Sequence, residues 1–371
     1  MHAVSVPLHN EISRRGHSTS PAPIEMQPNQ RQAEPYWTLY GLITGHYLSR
    51  AVYVAAKLGI ADLLKDGPRN SADLAAATHS QAAPLNRLMR LLASAGVFAE
   101  TEAGCFRLTP IGECLRSDVT GSLRAQAVLF AGPHQQRAWS RLLDIVQTGK
   151  HPTSHAFFPF LTKHPEEAAI FNAAMAEKAE SVIGAFITAY DCSRFSTIVE
   201  LGGGYGSLLR AILKTNPGQR GVLFDLPAVA DRAREFVRSD GLADRCQVIS
   251  GDFFGVLPRD GDAYILKSVI HDWDDGQSTA ILRNVAQSMA VDGTVVVVEM
   301  VVPPQSGDAW SEVIAASDLN MLVNTGGHER SEMEYQRLFE AAGLELTRII
   351  PTATPWSVVE GKRRSILAAN P

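Results

Sequence analysis

A glycine-rich turn between an apolar run and a helical pattern constrains this chain more than any other feature. The run Thr197–Leu201 is followed by glycines at positions 202, 203, 204 and 206, and a helical pattern begins near Ser207. This order predicts a strand, a turn and a helix. Glycine lets the backbone turn sharply and approach a ligand closely, and the start of the helix directs N–H groups at that ligand. The stretch therefore predicts a binding site for a nucleoside-containing cofactor.

Strands and helices alternate from Thr197 onward. The predicted strands are short apolar runs: Thr197–Leu201, Gly221–Asp225, Gln247–Ser250, Ala263–Lys267, Thr294–Met300, Thr347–Pro351 and Ser365–Ala369. Helices are predicted to begin near Ser207, Ala228, Gln277 and Ser331. The alternation predicts an α/β fold with a doubly wound, mostly parallel, seven-stranded sheet in a cofactor-binding domain over residues 191–371.

The region before this domain is predicted to be helical. An apolar helix over residues 36–64 has a broader apolar face than one buried stripe requires, which suggests contact with a partner subunit. Two short helices and a hairpin follow, so residues 35–115 are predicted to form a winged-helix-like domain. Between Ser71 and Pro110 three acidic residues balance three arginines. Because phosphate binding needs clustered cations, a structural or dimerisation module is favoured over a DNA-binding one.

Composition narrows the class of protein further. The net charge of −5 over 371 residues argues against a nucleic-acid partner. No apolar run reaches the ~18 residues of a membrane helix, and the four cysteines form no CxxC pair, so a cytoplasmic protein without a membrane partner is expected. Residues 1–34 read as a flexible tail, and residues 116–190 as a helical linker that contributes to the substrate pocket.

Two details of the glycine turn favour S-adenosylmethionine over a dinucleotide. Position 207 is Ser, where the dinucleotide fingerprint has Gly or Ala. Glu200 would repel a pyrophosphate but suits a cationic sulfonium amino acid. Asp225 ends the second strand, where an acid binds ribose hydroxyls or caps the next helix. Gly251, Asp252 and Phe253 follow the third strand and suit an adenine pocket.

His271 follows the fourth strand, at the end of the sheet where ligands bind in such folds. A histidine there can act as a general base on a hydroxyl group. Asp274 and Asp275 raise the alternative of a magnesium site, but a solvated helix start is favoured and no metal is expected.

The combination VELGGGYG, FDLP, GDFF, LKSVIHDW, VVEMVVP and GGHERSEMEY resembles the S-adenosylmethionine-dependent O-methyltransferases of the caffeic acid and hydroxyindole type, bacterial natural-product members in particular. The resemblance covers about residues 35–370. It implies a class I methyltransferase fold, an N-terminal dimerisation domain, a homodimer, an aromatic small-molecule substrate and a metal-independent site.

By position, the resemblance implies that His271 is the base and that Glu329 and Glu299 flank and orient it. It implies cofactor contacts at Glu200, Gly202, Gly203, Gly204, Asp225, Leu226, Gly251, Asp252, Phe253 and Lys267. It implies acceptor contacts at Phe171, Met175, Asp272, Asn320, Met321 and Asn324. Plain helix core is the alternative for Phe171 and Met175.

Three other functions remain open from the sequence. A protein of this kind can keep the cofactor but catalyse decarboxylation or hydroxylation. Methyl transfer to nitrogen or carbon is a second alternative. A winged-helix regulator that senses S-adenosylmethionine is the non-enzymatic one.

Overall fold

The structure is a computed structural model that describes residues 35–364, apart from residues 103, 152–156, 306 and 308. The tail predicted at residues 1–34 and the strand predicted at Ser365–Ala369 lie outside the described residues. None of the described helices is both long enough and apolar enough to span a bilayer. The chain divides between Tyr47 and Leu48 into two compact units.

Helices and a small sheet make up the first part of the described chain. In order they are α1 (Pro35–Leu58), α2 (Ile60–Leu64), β1 (Arg69–Asn70), α3 (Ser71–Ala77), α4 (Ala82–Ser94), β2 (Phe98–Glu102), β3 (Cys105–Leu108) and α5 (Pro110–Glu113). The strand order is β1-β3-β2, and both pairings are antiparallel. The predicted pair of helices followed by a hairpin is confirmed.

The N-terminal part of α1 carries exposed apolar side chains. Tyr36, Trp37, Leu39, Leu42 and Ile43 are all exposed. Together they account for the broad apolar face that the sequence predicts for this helix.

The middle of the chain is helical, as predicted. Its helices are α6 (Arg124–Phe130), α7 (Pro133–Trp139), α8 (Leu142–Thr148), α9 (Phe157–Lys163) and α10 (Pro165–Ala189). The last of these contacts both α6 and α11 (Ser207–Thr215), so it joins the helical region to the sheet domain.

Strands and helices alternate over the rest of the chain. The strands are β4 (Thr197–Leu201), β5 (Arg220–Asp225), β6 (Cys246–Ser250), β7 (Ala263–Lys267), β8 (Thr294–Val302), β9 (Arg330–Ser331), β10 (Leu344–Pro351) and β11 (Trp356–Arg363). The helices after α11 are α12 (Pro227–Ser239), α13 (Asp275–Ser288), α14 (Ser311–Asn324) and α15 (Glu332–Ala341). Side-chain caps start two of them, because Asp274 accepts from Gln277 N–H and Ser331 forms a capping box with Glu334.

The main sheet has the order β10-β11-β8-β7-β4-β5-β6, and the short β9 pairs with β8. The pairings from β8 to β6 are parallel, whereas β11 runs antiparallel to both β8 and β10. Chain order reverses beside β4, which has β5 on one side and β7 on the other. A crevice opens at such a point, outside the carboxyl ends of the strands.

Both faces of this sheet are covered by apolar side chains. Ile198 belongs to the core on one face and Val199 to the core on the other, as expected for successive residues of a strand. The predicted doubly wound, mostly parallel sheet is confirmed.

The sequence analysis missed one strand of the main sheet. The antiparallel strand beside β8 is Trp356–Arg363, a stretch in which the sequence analysis predicts no strand. In the sequence, Glu360 interrupts the apolar pattern of this strand, although the residue is only 3% exposed in the structure. Its carboxylate accepts a hydrogen bond from Tyr190 Oη at 2.6 Å and pairs with Arg348 at 3.0 Å. These partners come from distant elements, so the strand pattern is incomplete in the sequence alone.

Candidate active site

One cavity of about 1400 Å³ opens at the carboxyl ends of the parallel strands. This volume exceeds the roughly 300–1,000 Å³ of a typical single-ligand pocket, so two ligands fit side by side. The cavity is lined by His271 and by every residue predicted to contact cofactor or acceptor except Glu200: Gly202, Gly203, Gly204, Asp225, Leu226, Gly251, Asp252, Phe253, Lys267, Phe171, Met175, Asp272, Asn320, Met321 and Asn324.

The glycine turn after β4 forms one wall of the cavity. Gly202 and Gly204 have φ of 64° and 60°, a left-handed conformation that favours glycine. At Gly203 a Cβ atom would come within 2.5 Å of Leu223 and 2.6 Å of Glu200. The turn is thus packed tightly from below, and it presents backbone rather than side chains to the cavity.

Glu200 is the exception among the predicted cofactor residues. It is fully buried below the turn, and its Oε2 accepts a hydrogen bond from Leu209 N–H at 3.2 Å. Burial raises the pKa of its carboxyl to about 7. The carboxylate therefore does not face the cavity, and direct contact with a cationic ligand is not what the structure shows. Its hydrogen bond instead ties β4 to the start of α11.

Asp225 lies at the end of β5, beside the glycine turn. Its carboxylate accepts hydrogen bonds from the N–H groups of Gly204 at 2.8 Å and Leu226 at 2.7 Å. Burial raises the pKa of this carboxyl to about 6. A carboxylate fixed in this way at the edge of a cavity is well placed to accept hydrogen bonds from two adjacent hydroxyl groups.

The segment after β6 adds an aromatic wall. At Gly251 a Cβ atom would lie 2.4 Å from the Phe224 ring, so only glycine fits there. Asp252 accepts a hydrogen bond from Phe254 N–H at 2.9 Å. The Phe253 ring stands edge-on to Trp273 at 5.8 Å between centroids.

His271 lies in a 3₁₀ turn, Ile270–Asp272, just after β7. The link to the strand is Ser268, whose φ of 55° is unusual for a residue other than glycine and marks local strain at the cavity wall. His271 is only 4% exposed. Its Nδ1 lies 2.9 Å from Glu329 Oε1 and 3.1 Å from Glu299 Oε2. With Nδ1 held by carboxylates, Nε2 is the ring nitrogen left to face the cavity.

Both carboxylates are themselves held in place. Glu299 Oε1 accepts hydrogen bonds from Val269 N–H and Ile270 N–H, each at 2.9 Å, and so fixes the turn that carries His271. Glu329 Oε1 also accepts from Ser317 Oγ at 2.7 Å. Sequence reasoning missed Ser317, because nothing in its own stretch marks it.

The charges of this cluster are coupled. Burial alone would lower the pKa of His271, but Glu299 and Glu329 outweigh burial and raise it to about 9. Burial raises the pKa of Glu299 to about 7. For Glu329 the effect of burial is outweighed by His271, so the pKa of this carboxyl is lowered. The arrangement stabilises an imidazolium between two acids.

Two further residues that the sequence analysis missed hold the His271 turn from behind. Arg330 is fully buried and donates to the carbonyl oxygens of Ile270 at 3.1 Å and Trp273 at 2.9 Å. It also pairs with Asp275 at 2.8 Å. Gly327 approaches the turn so closely that a Cβ atom would lie 2.0 Å from His271 O. In the sequence, charged Arg330 directly follows Glu329, and this pair of charged residues was the available sign that Arg330 has a role at the site.

The opposite wall is built from α9, α10 and α14. Phe158 stacks on Trp273 at 6.1 Å and meets Phe171 edge-on at 6.4 Å. Asn320 Oδ1 accepts hydrogen bonds from Trp139 Nε1 at 3.2 Å, Asn324 Nδ2 at 3.0 Å and Gln135 Nε2. With Oδ1 occupied, the amide nitrogen of Asn320 is the group left for a ligand.

Asp272 lies beside His271 on the turn after β7 and also lines the cavity. Burial raises the pKa of its carboxyl to about 6.

Comparison with known proteins decides the family. Residues 139–345 match the O-methyltransferase domain, and residues 40–118 match the O-methyltransferase dimerisation domain. The chain belongs to the O-methyltransferase family. It is 44% identical to the phenazine O-methyltransferase of Lysobacter antibioticus over 87% of this chain and 95% of that one. It is 36% identical to the 8-amino-8-demethylriboflavin N,N-dimethyltransferase of Streptomyces davaonensis over 83% and 90%.

A solved structure extends the comparison to the hydroxyindole type. Human N-acetylserotonin methyltransferase in complex with S-adenosylmethionine superposes with a TM-score of 0.82 at 25% identity, over 92% of this chain and all of that one. The predicted family, the class I fold with its dimerisation domain, and the cofactor S-adenosylmethionine are confirmed. This O-methyltransferase family member is thus a methyltransferase enzyme.

Proposed function

We propose that the protein transfers a methyl group from S-adenosylmethionine to a hydroxyl group of an aromatic small molecule, with His271 as the general base. The observation that carries this proposal is the position of His271, whose Nδ1 is held by two buried carboxylates while the residue lines the cavity. Such an arrangement serves to take a proton from a bound group.

The residues at the donor end fit S-adenosylmethionine. The carboxylate of Asp225, fixed by Gly204 and Leu226, suits the ribose hydroxyls. Asp252 and Phe253 offer a carboxylate and a ring to the adenine. Gly204 lines the cavity, and no atom lies within 4 Å of where its Cβ would be, so the turn leaves space for the ligand. When bound, the donor supplies a methyl group on a positively charged sulfur.

His271 Nε2 takes the hydroxyl proton as the acceptor oxygen attacks. A phenol with a pKa of ~10 is ionised about one part in a thousand at pH 7, which corresponds to roughly 4 kcal/mol. A positioned base typically contributes ~10²–10⁴-fold. Glu329 and Glu299 stabilise the imidazolium that forms and hold the proton on Nδ1. Alignment of the two reactants by the walls of the cavity supplies the larger share of the reduction in the activation barrier, roughly 7–11 kcal/mol in favourable cases.

The acceptor walls favour a flat apolar molecule with polar substituents. Phe158, Phe171 and Met175 provide an aromatic and thioether surface. Asn320 and Asn324 provide amide groups at its edge. We propose that Met321 and Asp272 complete this acceptor site.

A matched pair of acceptors tests the choice of oxygen over nitrogen. The protein is incubated with S-adenosylmethionine and either 1-naphthol or 1-naphthylamine, and the products are identified by mass spectrometry. The expected result is S-adenosylhomocysteine together with a gain of one methyl group on the naphthol. Methylation of the amine alone would favour N-methylation, which the dimethyltransferase relative makes the second candidate.

The product analysis, together with a DNA-binding assay, addresses the remaining alternatives. Loss of carbon dioxide or gain of oxygen from the acceptor would indicate diverged chemistry. A regulator would show cofactor binding with no product from any acceptor and a DNA shift at physiological salt.

We also propose a homodimer, formed through residues 35–115. The exposed apolar side chains of α1 and the match to the dimerisation domain support it. A monomer in gel filtration at micromolar concentration would contradict this proposal. Residues 116–190 then contribute helices to the acceptor pocket, and residues 191–371 form the catalytic domain.

A further inference from the structure

Lys178 is a cation inside the cavity that the mechanism above does not use. It lies on α10 seven residues after Phe171 and three after Met175, so the three side chains share one face of the helix. All three line the cavity. Lys178 therefore continues the wall that faces the acceptor.

No described carboxylate forms a direct ion pair with the ammonium group of Lys178. Its Nζ lies 4.9 Å from the centroid of the Trp356 ring, a cation–π contact. In the part of the chain that the structure describes, this nitrogen makes no hydrogen bond or ion pair. Burial lowers the pKa of Lys178. Because a cation held partly away from water is costly unless it is paired, an anionic group on a ligand in the cavity would stabilise the charged form of Lys178.

Lys178 lines the same cavity as His271, and the acids around His271 also act on its charge. The acids that act on Lys178 most strongly are Glu329, Glu299 and Asp272, which surround His271. The first two are already engaged by His271, Ser317 and backbone N–H groups. An anionic acceptor would be repelled by these acids unless a cation compensated for them. Burial lowers the pKa of Lys267, which also lines the cavity, and the charge of Lys178 adds to this effect.

We propose that Lys178 binds a carboxylate on the acceptor, so that the preferred acceptors are hydroxylated aromatic acids. This inference rests on the proposed function, which it deepens. A single ion pair with hydrogen bonds to a charged group corresponds to about 10–100-fold in affinity. Lys178 is thus a residue that determines specificity, and it leaves the proton transfer to His271.

Binding without turnover tests the proposal. Affinities are measured by calorimetry in the presence of S-adenosylhomocysteine for matched pairs such as 1-hydroxy-2-naphthoate with 1-naphthol, and a phenazine carboxylate with the corresponding phenazine. The wild type is expected to bind the acid of at least one pair about 10–100-fold more tightly. Lys178→Met should remove this preference and change the affinity for the neutral partner less than threefold. Lys178→Arg should keep most of the preference.

The controls separate the possible sources of the carboxylate. The donor also carries one on its amino acid portion, so S-adenosylhomocysteine is compared with its decarboxylated analogue. A loss in Lys178→Met that depends on the donor carboxylate would assign Lys178 to the donor and overturn the proposal. Equal affinity of the wild type for acid and neutral partner in every pair would also overturn it. The proposed function fails separately from this inference. In that case the acids would still bind in a Lys178-dependent way, but no methyl group would be transferred to their oxygen.

Discussion

The proposed donor end of the cavity, at the glycine turn and Asp225, and its proposed acceptor end, at His271 and Asn320, are built in different ways. At the donor end Asp225 is fixed by N–H groups of Leu226, its neighbour, and of Gly204, only 21 residues away. At the acceptor end His271 meets Glu329 58 residues along the chain, and Gln135 reaches Asn320 across 185 residues. The donor end is therefore set by local backbone, and the acceptor end by long-range packing of helices.

Because of this difference, the two ends of the cavity tolerate different substitutions. Backbone contacts at strand ends recur with any side chains that keep the turn, which suits a ligand that does not change. Side chains from α9, α10 and α14 can be exchanged without altering the sheet, which suits an acceptor that differs from one family member to another. We therefore expect substitutions at the two ends to affect separate measurements.

The largest expected effect is at the acceptor end. His271→Ala should reduce kcat for a phenol by ~10²–10⁴-fold, because the hydroxyl proton then has no positioned acceptor. Turnover of a neutral arylamine should fall less, since its nitrogen attacks before it loses a proton. The dissociation constant for S-adenosylhomocysteine should change less than threefold. Phenol turnover within a few-fold of the wild type would show that His271 is not the base.

The comparison also explains what the sequence could predict. The position of the glycine turn, Asp225 and Asp252 at the cavity could be predicted, because Asp225 ends a recognisable strand and the other two follow one. His271 is readable for the same reason, and the family resemblance supplies Glu299 and Glu329. Glu200 misleads because its position next to the turn says nothing about which way its carboxylate faces.

Residues held by distant partners could not be predicted in this way. Ser317 and Lys178 lie within ordinary helices, and Arg330 acquires its role only when its side chain reaches the turn after β7. Strand β11 was missed because Glu360 interrupts its apolar pattern, and the partners of Glu360, Tyr190 just after α10 and Arg348 on β10, lie outside the strand. Long-range contacts of this kind require the register of packed elements, which a single sequence does not contain.

Gly327 allows the acceptor end to be disturbed without touching a ligand. In Gly327→Ala the added Cβ would lie 2.0 Å from His271 O, so the turn must move. A displacement of about 1 Å can lower turnover ~10²-fold. We expect kcat to fall by about that factor with donor affinity within threefold of the wild type. Gly218→Ala is the matched control, since no atom lies within 4 Å of its Cβ position. Equal losses of donor affinity and kcat would contradict independence of the two ends.

The two ends should also differ in their dependence on pH. The raised pKa of His271, about 9, means that the neutral base becomes available only as the pH rises toward 9. Hence kcat/KM for a phenol should increase about tenfold per pH unit between 7 and 8.5. Donor affinity should instead weaken below pH 6, where Asp225, with a pKa raised to about 6, becomes protonated. A phenol profile that is flat from pH 7 to 9 would argue against proton transfer to His271.

At the donor end, Gly203→Ala should have a smaller effect, and it should weaken donor binding rather than turnover. Its Cβ would come within 2.5 Å of Leu223 and 2.6 Å of Glu200, and such overpacking costs about 1–3 kcal/mol. We expect the dissociation constant for S-adenosylhomocysteine to rise about tenfold, while kcat at saturating donor falls less than threefold. Calorimetry and steady-state kinetics measure the two quantities. A loss confined to kcat would reverse the assignment of this turn to donor binding.

The smallest expected effect concerns metal. His271, Glu299 and Glu329 bring a nitrogen and carboxylate oxygens within 4.8 Å of one another, a group that a divalent cation can use. If a metal at these residues were required, dialysis against EDTA would abolish turnover and added Mg²⁺ or Zn²⁺ would restore it. We instead expect less than a twofold change, because Nδ1 of His271 already donates to Glu329 and Glu299 Oε1 already accepts backbone N–H groups. Retention of full activity would leave proton transfer, rather than Lewis acid chemistry, as the task of the acceptor end.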